Sequence, residues 1–506
     1  MTPLWRTGRD LVAGTPFDAG AHYDVVVVGA GITGLSTALI LARAGRSVAV
    51  IEQGEVGSLA TGSNTGKVSL LQGTVLSTLR RHHPASFVRA YVEANRAGAD
   101  WLLGFADEAG VPYTRRTAYS FATQADGERA VEDEFSAAAE AGLSVRRTRE
   151  PEEDTAFPMT AAVALDDQAA IDPQAVAVAL ARALLAAGGV LHTGTRVTRV
   201  SAFAATGVQT DRGPVLADQV VLATGTPIAD RGLTFVKTRG LRSYCVAFRT
   251  DASVPDGLYL SVDAPSRSLR SVTVADGPAA ALIVGGNGHP VGRGGSEAGR
   301  IDELVTWTRE WFPDATPTHR WSAQDYESHD LIPFVGALPR GFGRVRFATG
   351  FGKWGLTNGP AAGIRIAAEI VGTSRGDLPS WARTIGTRMT VPADLSRGAS
   401  EAARVAAAAA RGWIGAESAT VPVPQPPEGA GIVANRAGAP VAISTVGGRT
   451  RAVSAVCPHL GGVLSWNDAE CTWDCPLHAS RFAADGTRLE GPASRDLRRL
   501  SGPSGR

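Results

Sequence analysis

Four cysteines in 506 residues are too few for a disulfide framework, which fits a reducing compartment better than a secreted, bridge-stapled fold. Excess charge is missing too. Fifty basic residues against 49 acidic ones leave a formal net charge of +1, so there is no electrostatic footprint for nucleic acid or a membrane surface. No apolar run approaches the length of a membrane span, and the first twenty residues carry charges without an apolar signal core. The expectation is a cytoplasmic chain with no nucleic-acid partner and no transmembrane segment. No repeat with a period of 20 to 50 residues is visible, and the length suffices for two or three domains with sizeable cores.

What is present is concentrated toward the two ends. Cys457-Pro458-His459 is followed, sixteen positions after His459, by Cys475-Pro476-Leu477-His478. Each arm sends one sulfur and one nitrogen from a tight loop, and Pro458 and Pro476 stiffen those loops by fixing φ. Two thiolates on one iron and two neutral imidazoles on the other is the asymmetric ligation that holds a [2Fe-2S] cluster and raises its potential. The alternative is zinc, which also accepts two Cys and two His in a tetrahedron. Leu460-Gly461 after the first arm, Ser480 after the second and Gly491-Pro492-Ala493 beyond them favour the cluster.

From about Val421 to Leu500 the chain resembles Rieske domains, which implies an all-β domain with Cys457, His459, Cys475 and His478 as metal ligands. Respiratory members carry a further Cys in each arm where this chain has Gly462 and Leu477, so their bridge between the loops is absent. The resemblance keeps Ser480 as a donor to a cluster sulfur, but the tyrosine expected two residues later is Phe482. A lost donor lowers the potential within a family range of roughly −150 to +300 mV. Of the other cysteines, Cys471 lacks the His that follows Cys475 by three, and Cys245 reads as a small buried residue rather than a nucleophile or a flavin attachment point.

At the other end, Asp24-Val25-Val26-Val27-Val28 runs into Gly29-Ala30-Gly31-Ile32-Thr33-Gly34. A buried strand turns here into a helix from Leu35 to Arg43 that stops at Gly45. The first two glycines allow a tight turn and backbone approach to a pyrophosphate, and Gly34 allows close helix–strand packing. A second strand, Ser47 to Ile51, ends in Glu52, eighteen residues after Gly34, where a carboxylate accepts hydrogen bonds from an adenosine ribose. Strand, helix and acid in register make this a dinucleotide site.

Four further segments settle which dinucleotide. Ala60-Thr61-Gly62-Ser63-Asn64-Thr65-Gly66-Lys67, Val220 to Gly225, Asp330 to Gly336, and Ala348 to Gly359 resemble, in that order, the D-amino-acid oxidase, sarcosine oxidase and glycine oxidase superfamily. The resemblance spans about Tyr23 to Gly372 and implies FAD. Its implied contacts are Gly29, Gly31, Ile32, Thr33 and Gly34; Glu52 and Gln53; Ser63, Asn64, Thr65 and Lys67; Val197; Thr224 and Gly225; and Gly350, Gly352, Lys353, Gly355, Leu356 and Thr357. Gly285-Gly286-Asn287-Gly288-His289 lacks a third glycine, since Val291 stands there, and Pro290 argues against a helix. No NAD(P)H site is visible, so the electrons come from an organic substrate.

The expected architecture is an α/β FAD-binding Rossmann-type domain with an antiparallel-sheet (α+β) substrate domain, plus the all-β Rieske domain. After an extension over 1–22, the oxidoreductase part covers 23–375. Its FAD module takes 23–72, 165–236 and 330–375, and the substrate domain takes 73–164 and 237–329, where Gly257 to Val262 and Leu269 to Val274 alternate as strands do. A linker over 376–420 holds an Ala-rich helix from Ser400 to Arg411. A Pro-rich lead over 421–427 then opens the Rieske domain, 421–506.

Catalytic residues are the least legible part. The resemblance implies that flavin takes a hydride from a C–H bond, usually next to nitrogen, while side chains position the substrate and manage its proton. Candidates are Arg242, Tyr244, His289, Tyr326, His329, Lys353 and Trp354, whose segments abut flavin motifs or the sheet expected over the flavin. Lys67 and Lys353 sit inside flavin-contacting motifs, where a cation stabilises an anionic reduced flavin; alternatively Lys67 binds a phosphate or faces solvent. The expected function is oxidation of a small organic substrate, an amine or amino acid, with electrons leaving through the cluster to a ferredoxin-like protein, a quinone or oxygen. One rival is a non-catalytic redox sensor or electron-transfer protein on an oxidase scaffold. Another is a Rieske oxygenase, which needs a mononuclear iron on two His and a carboxylate. Outside the arms, His22, His82, His83, His192, His289, His319 and His329 do not form its Asp-x-x-His-x-x-x-x-His pattern.

Overall fold

The computed structural model describes residues 1–506 apart from 10, 150–154, 204–205, 230–231, 274–279, 375, 387–391, 421–424 and 501–506. The start of the Pro-rich lead and the last residue of the Leu269 to Val274 strand expectation lie outside the described residues.

A run of four valines has no polar side to turn to water, so it must be covered on both faces. His22–Val28 accordingly lies in the middle of the first sheet, parallel to Val48–Ile51 on one side and to Gly213–Leu222 on the other. Val25 and Val27 join a core with Leu35, Leu180 and Ile366, while Val26 and Val28 face Val208, Val215 and Phe347 across the sheet. Among the described residues eight strands form this sheet. Its order is Phe334–Ala337, Val345–Thr349, Gly213–Leu222, His22–Val28, Val48–Ile51 and Val190–His192, with Gly207–Thr210 and Val197–Ser201 added beside Gly213–Leu222. Helices Ile32–Arg43, Pro173–Ala186 and Gly355–Val371 pack over one face. Pro173–Ala186 starts where Asp172 accepts the N–H groups of Gln174 and Ala175, with Pro173 preset in its first turn.

The second sheet has nine strands among the described residues, in the order Thr316–Ser328, Thr238–Arg249, Ala280–Pro290, Arg267–Thr273, Leu258–Ser261, Tyr113–Ala122, Ala161–Ile171 and Lys67–Val68, with Arg146–Thr148 beside Ala161–Ile171. Its pairs are antiparallel except that Leu258–Ser261 runs parallel to Tyr113–Ala122. Lys67–Val68 and Ala161–Ile171 belong to this sheet, although the three-piece reading put Lys67 and the later half of Ala161–Ile171 with the first. The glycines at 285, 286 and 288 lie inside the strand Ala280–Pro290 rather than in a loop. Tyr119, Phe121, Phe157 and Tyr259 build this domain's aromatic core, with Tyr119 and Tyr259 stacked at 4.9 Å.

Two small antiparallel sheets form the last domain: Gly431–Arg436, Ala439–Val446 and Arg449–Ser454, then Ser465–Asn467, Thr472–Asp474, Arg481–Ala483 and Arg488–Glu490. The linker helix is longer at both ends than expected, Pro392–Ser418, and the Trp413 indole donates to the Gly461 carbonyl beside the first metal arm (3.2 Å). Among the described residues no helix is long and apolar enough to cross a membrane.

Candidate flavin and iron–sulfur sites

The dinucleotide loop is built as its glycines require. A Cβ at Gly34 would lie 2.0 Å from the Gly29 carbonyl oxygen, so only glycine lets the helix sit this close to the turn. A Cβ at Gly31 would meet only the Thr61 hydroxyl, at 3.1 Å, within 4 Å; otherwise it would point into open space at the start of helix Ile32–Arg43. That cradle fits a pyrophosphate. Glu52 is buried and accepts from the N–H groups of Ala30 and Gly54, both at 2.8 Å. Burial raises its pKa and these donors oppose the rise. The backbone of Ser63 and Asn64 is held by two indoles, Trp321 donating to the Ser63 carbonyl and Trp5 to that of Asn64, each at 2.8 Å. The N-terminal extension therefore packs on this region, which nothing local in the sequence announced.

These segments surround one cavity of about 670 Å³. Every expected FAD contact lines it except Gly34 and Thr357. Thr357 instead donates to the Asn95 side chain (2.5 Å), supporting the helix start from behind.

Two lysines, Lys67 and Lys353, line the cavity, and of these Lys67 is buried. Lys67 Nζ donates to the Tyr259 carbonyl (2.6 Å) and the Ser268 hydroxyl (2.8 Å), which uses two of its three donors. Burial pushes its pKa down to about 7, and the nearby Arg270 adds to the fall. Lys353 is likewise lowered by burial, against the pull of Glu327 and Asp325, and its backbone N–H donates to Asp325. Asp325 is pushed up to about 6 by burial. Cys245 also lines the cavity, with its thiol raised to about 12 by burial and so kept protonated.

Of the other candidates, Trp354, Tyr244 and Tyr326 line the cavity, whereas Arg242, His289 and His329 do not. His289 donates from Nδ1 to the Pro290 carbonyl (2.8 Å), so its Nε2 accepts from the Tyr244 hydroxyl (3.0 Å), and burial holds the ring neutral. The His329 ring faces the linker helix near Gly398. Arg242 turns away into the Rieske domain, drawn by Glu470 at 2.5 Å.

The metal arms pair their ligands by type. Cys457 and Cys475 are each 2% exposed and share a hydrogen bond that holds the first thiol below and the second above the ordinary range. The His459 and His478 rings meet edge to face at 5.2 Å, and Phe235 packs edge-on against both, at 4.8 and 4.7 Å. His478 Nδ1 is buried without a hydrogen-bond partner, and burial lowers its pKa to about 4, leaving a neutral nitrogen suited to a metal. Thiols on one side and imidazoles on the other suit two irons. Among the described residues no three His, Cys, Asp or Glu side chains converge on a single ion position. The Ser480 hydroxyl accepts the N–H of Ala493 (2.9 Å) and bonds to the Cys457 sulfur, with Phe482 fully buried in the same core. Where the respiratory bridge would stand, the Leu477 side chain takes the space over Gly462, since a Cβ there would lie 2.6 Å from Leu477 Cγ.

The two halves are one construction. Arg488, Glu490 and Gly491 of the Rieske domain line the flavin cavity. Gln53, next to Glu52, donates to the Leu489 carbonyl (2.8 Å) and accepts from Arg488 (3.1 Å). Sequence reasoning missed Arg488 and Glu490 here, as it missed Asp325 and Gln324 in the cavity wall, because no motif marks them.

Comparison with known proteins agrees with this geometry. The model of the FAD dependent oxidoreductase family matches residues 24–369, and that of the Rieske [2Fe-2S] domain matches 419–501. A Bacillus subtilis Rieske 2Fe-2S iron-sulfur protein, YhfW, is 28% identical over 98% of this chain and 97% of its own length. Glycine oxidase of Bacillus licheniformis is 27% identical over 69% of this chain and 94% of its own. The crystal structure of glycine oxidase from Geobacillus kaustophilus superposes with a TM-score of 0.61 at 18% identity, over 73% of this chain and all of that one. The chain belongs to the FAD dependent oxidoreductase family, and it joins that enzyme to a Rieske [2Fe-2S] domain.

Proposed function

We propose that the enzyme oxidises a small amine or amino acid at a C–N bond and passes the electrons through the Rieske centre to an external acceptor: a ferredoxin-like protein, a quinone or oxygen. The observation that carries this reading is the shared cavity, faced at once by the dinucleotide loop, two lysines and the Rieske residues Arg488, Glu490 and Gly491. FAD supplies hydride acceptance and the cluster one-electron transfer. Similarity to glycine oxidase supports the amine or amino-acid class.

On this reading FAD is held by the expected contacts that line the cavity, and the cluster by Cys457, His459, Cys475 and His478. On the same reading the oxidoreductase part takes 23–375 and the Rieske domain 421–506, with the linker between. Lys67 and Lys353 favour an anionic group in the cavity, because an anion restores the charge that burial opposes. With a pKa near 7, Lys67 Nζ is also able to hold or release a proton in the working pH range.

An anaerobic panel of amines, amino acids and hydroxy acids tests the proposal. Bleaching of the flavin band by an amine or amino acid supports it. Bleaching by hydroxy acids alone would displace the C–N assignment, and no bleaching by any member would favour the redox sensor.

A further inference from the structure

One strand separates the flavin cavity from the metal arms. Residues 323–327 of Thr316–Ser328 line the cavity, yet alternate side chains of the same strand reach into the Rieske domain. The Ser322 hydroxyl donates to Glu470 (2.8 Å), Gln324 Nε2 to the carbonyl of Ala479 (2.8 Å), and the Tyr326 hydroxyl to the carbonyl of Gly491 (3.1 Å). Gln324 Nε2 also donates to the Tyr326 hydroxyl (3.0 Å), so the two side chains act as one unit. Ala479 directly follows His478. Gly491 leads into the loop whose Ala493 N–H bonds Ser480, itself bonded to Cys457.

Other crossings meet the cavity or a metal arm, but not both. Gln53 lines the cavity but reaches Leu489 and Arg488, outside the arms, whereas Arg293 donates to the Pro476 and Leu477 carbonyls (2.6 and 3.4 Å) and Phe235 touches the histidines, and neither of these two lines the cavity. Gln324 alone among these joins a cavity-wall residue to the neighbour of a metal ligand.

We infer that Gln324 and Tyr326 are positioning residues that fix the electron path between the two centres, with Gln324 feeding the His478 arm and Tyr326 bracing the loop over Cys457. The inference rests on the flavin-to-cluster direction proposed above. Oxidation of an amine C–H and N–H to an imine releases two electrons and two protons. The electrons enter the cavity as a pair and cross the strand singly, each reducing one ferric iron to ferrous. An external one-electron acceptor reoxidises the iron between crossings, and the protons pass to solvent.

The test uses the full-length protein holding both cofactors, under argon, with EDTA as sacrificial donor for flash photoreduction of the flavin, so that no substrate is needed. Two optical phases are followed, flavin bleaching and then loss of the cluster band, and the cluster midpoint potential is measured separately. In Gln324→Leu the second phase slows relative to the first while the potential stays at the unsubstituted value. Tyr326→Phe, which removes only a hydroxyl, slows it less and carries the test should Gln324→Leu fail to fold. A second phase as fast as in the unsubstituted protein in whichever variants fold overturns the assignment, as does slowing matched by a fall in potential, which would mark lost driving force rather than a lost path. If the cluster of the unsubstituted protein stays oxidised beside a fully reduced flavin, the direction of flow itself is wrong, and the assignment falls with it.

Discussion

Replacing Arg242 by methionine should release the Rieske domain from the oxidoreductase. Its guanidinium is 1% exposed and lies 2.5 Å from Glu470, 3.7 Å from Glu490 and 3.9 Å from Asp474. It also donates to Ser322 (2.5 Å) and Gln324 (2.8 Å). Arg481 contacts the same three carboxylates, at 2.8 to 3.3 Å, so two cations are set among three anions. Arg242→Met would leave one cation against three buried carboxylates. Removing one partner of a buried pair costs about 3–5 kcal/mol. By contrast Arg147→Met, which breaks an exposed pair with Glu132, should leave the midpoint almost unmoved. The assay is the urea midpoint of the cluster's visible circular dichroism, read as a signal of that domain because a multidomain chain is not two-state. Burial pushes Asp474 and Glu470 up, but Arg481 and Arg242 outweigh it and hold both carboxyls below their ordinary values of 3.8 and 4.5. Groups depressed in the folded state stabilise it above those ordinary values and lose that contribution as pH falls through the folded ones. The Arg242→Met penalty should therefore be full at neutral pH and shrink in acid below about pH 4. An Arg242→Met midpoint indistinguishable from that of Arg147→Met would refute the reasoning.

Gly31→Val should yield protein with its cluster but little FAD, because the new side chain fills the open cradle at the helix start; normal flavin content by absorbance would remove the loop from the site. Phe482→Tyr should add a donor near a cluster sulfur and raise the midpoint potential, at a packing cost of about 1–3 kcal/mol in a fully buried position; an unchanged or lower potential would mean that Phe482 stands elsewhere relative to the sulfurs. Lys67 is depressed by burial from 10.5 to about 7, so the folded chain binds fewer protons than the unfolded one between those values. Stability of the flavin-free protein should rise with pH across that window and lose the slope in Lys67→Met, as denaturant midpoints at pH 7 and 10 would show.

Both cofactor sites were legible because their chemistry is written in short stretches of chain. The arms at 457–459 and 475–478 and the loop at 29–34 each gather a motif within a few residues, so spacing together with the flanking residues points to the cofactors. The four-valine strand, its helix and Glu52 read correctly for the same reason. Arg242 did not, since a basic residue in a strand near flavin motifs reads as a substrate contact. Its actual partners, Glu470, Asp474 and Glu490, lie more than 220 positions away and leave no periodic trace. Gln324 was silent on the same ground: its hydrogen bond to Ala479 spans 155 residues. The glycines at 285, 286 and 288 suggest a second nucleotide loop, a reading set aside for want of a third glycine and because of Pro290. In the structure the ladder continues through them, with Gly285 opposite Cys245 and Gly286 opposite Tyr244. At Gly288 a Cβ would come within 2.8 Å of Lys353 Nζ, so the missing side chain makes room for that ammonium group.

The central claim is that the two centres of this chain work in series. Freeze-quench electron paramagnetic resonance, on protein mixed anaerobically with whichever amine or amino acid bleaches the flavin, tests it most directly. The account predicts that the signal of the reduced [2Fe-2S] cluster grows in after the flavin band is lost and within the time of one turnover. A cluster that stays oxidised through many turnovers, while the flavin cycles, would contradict it.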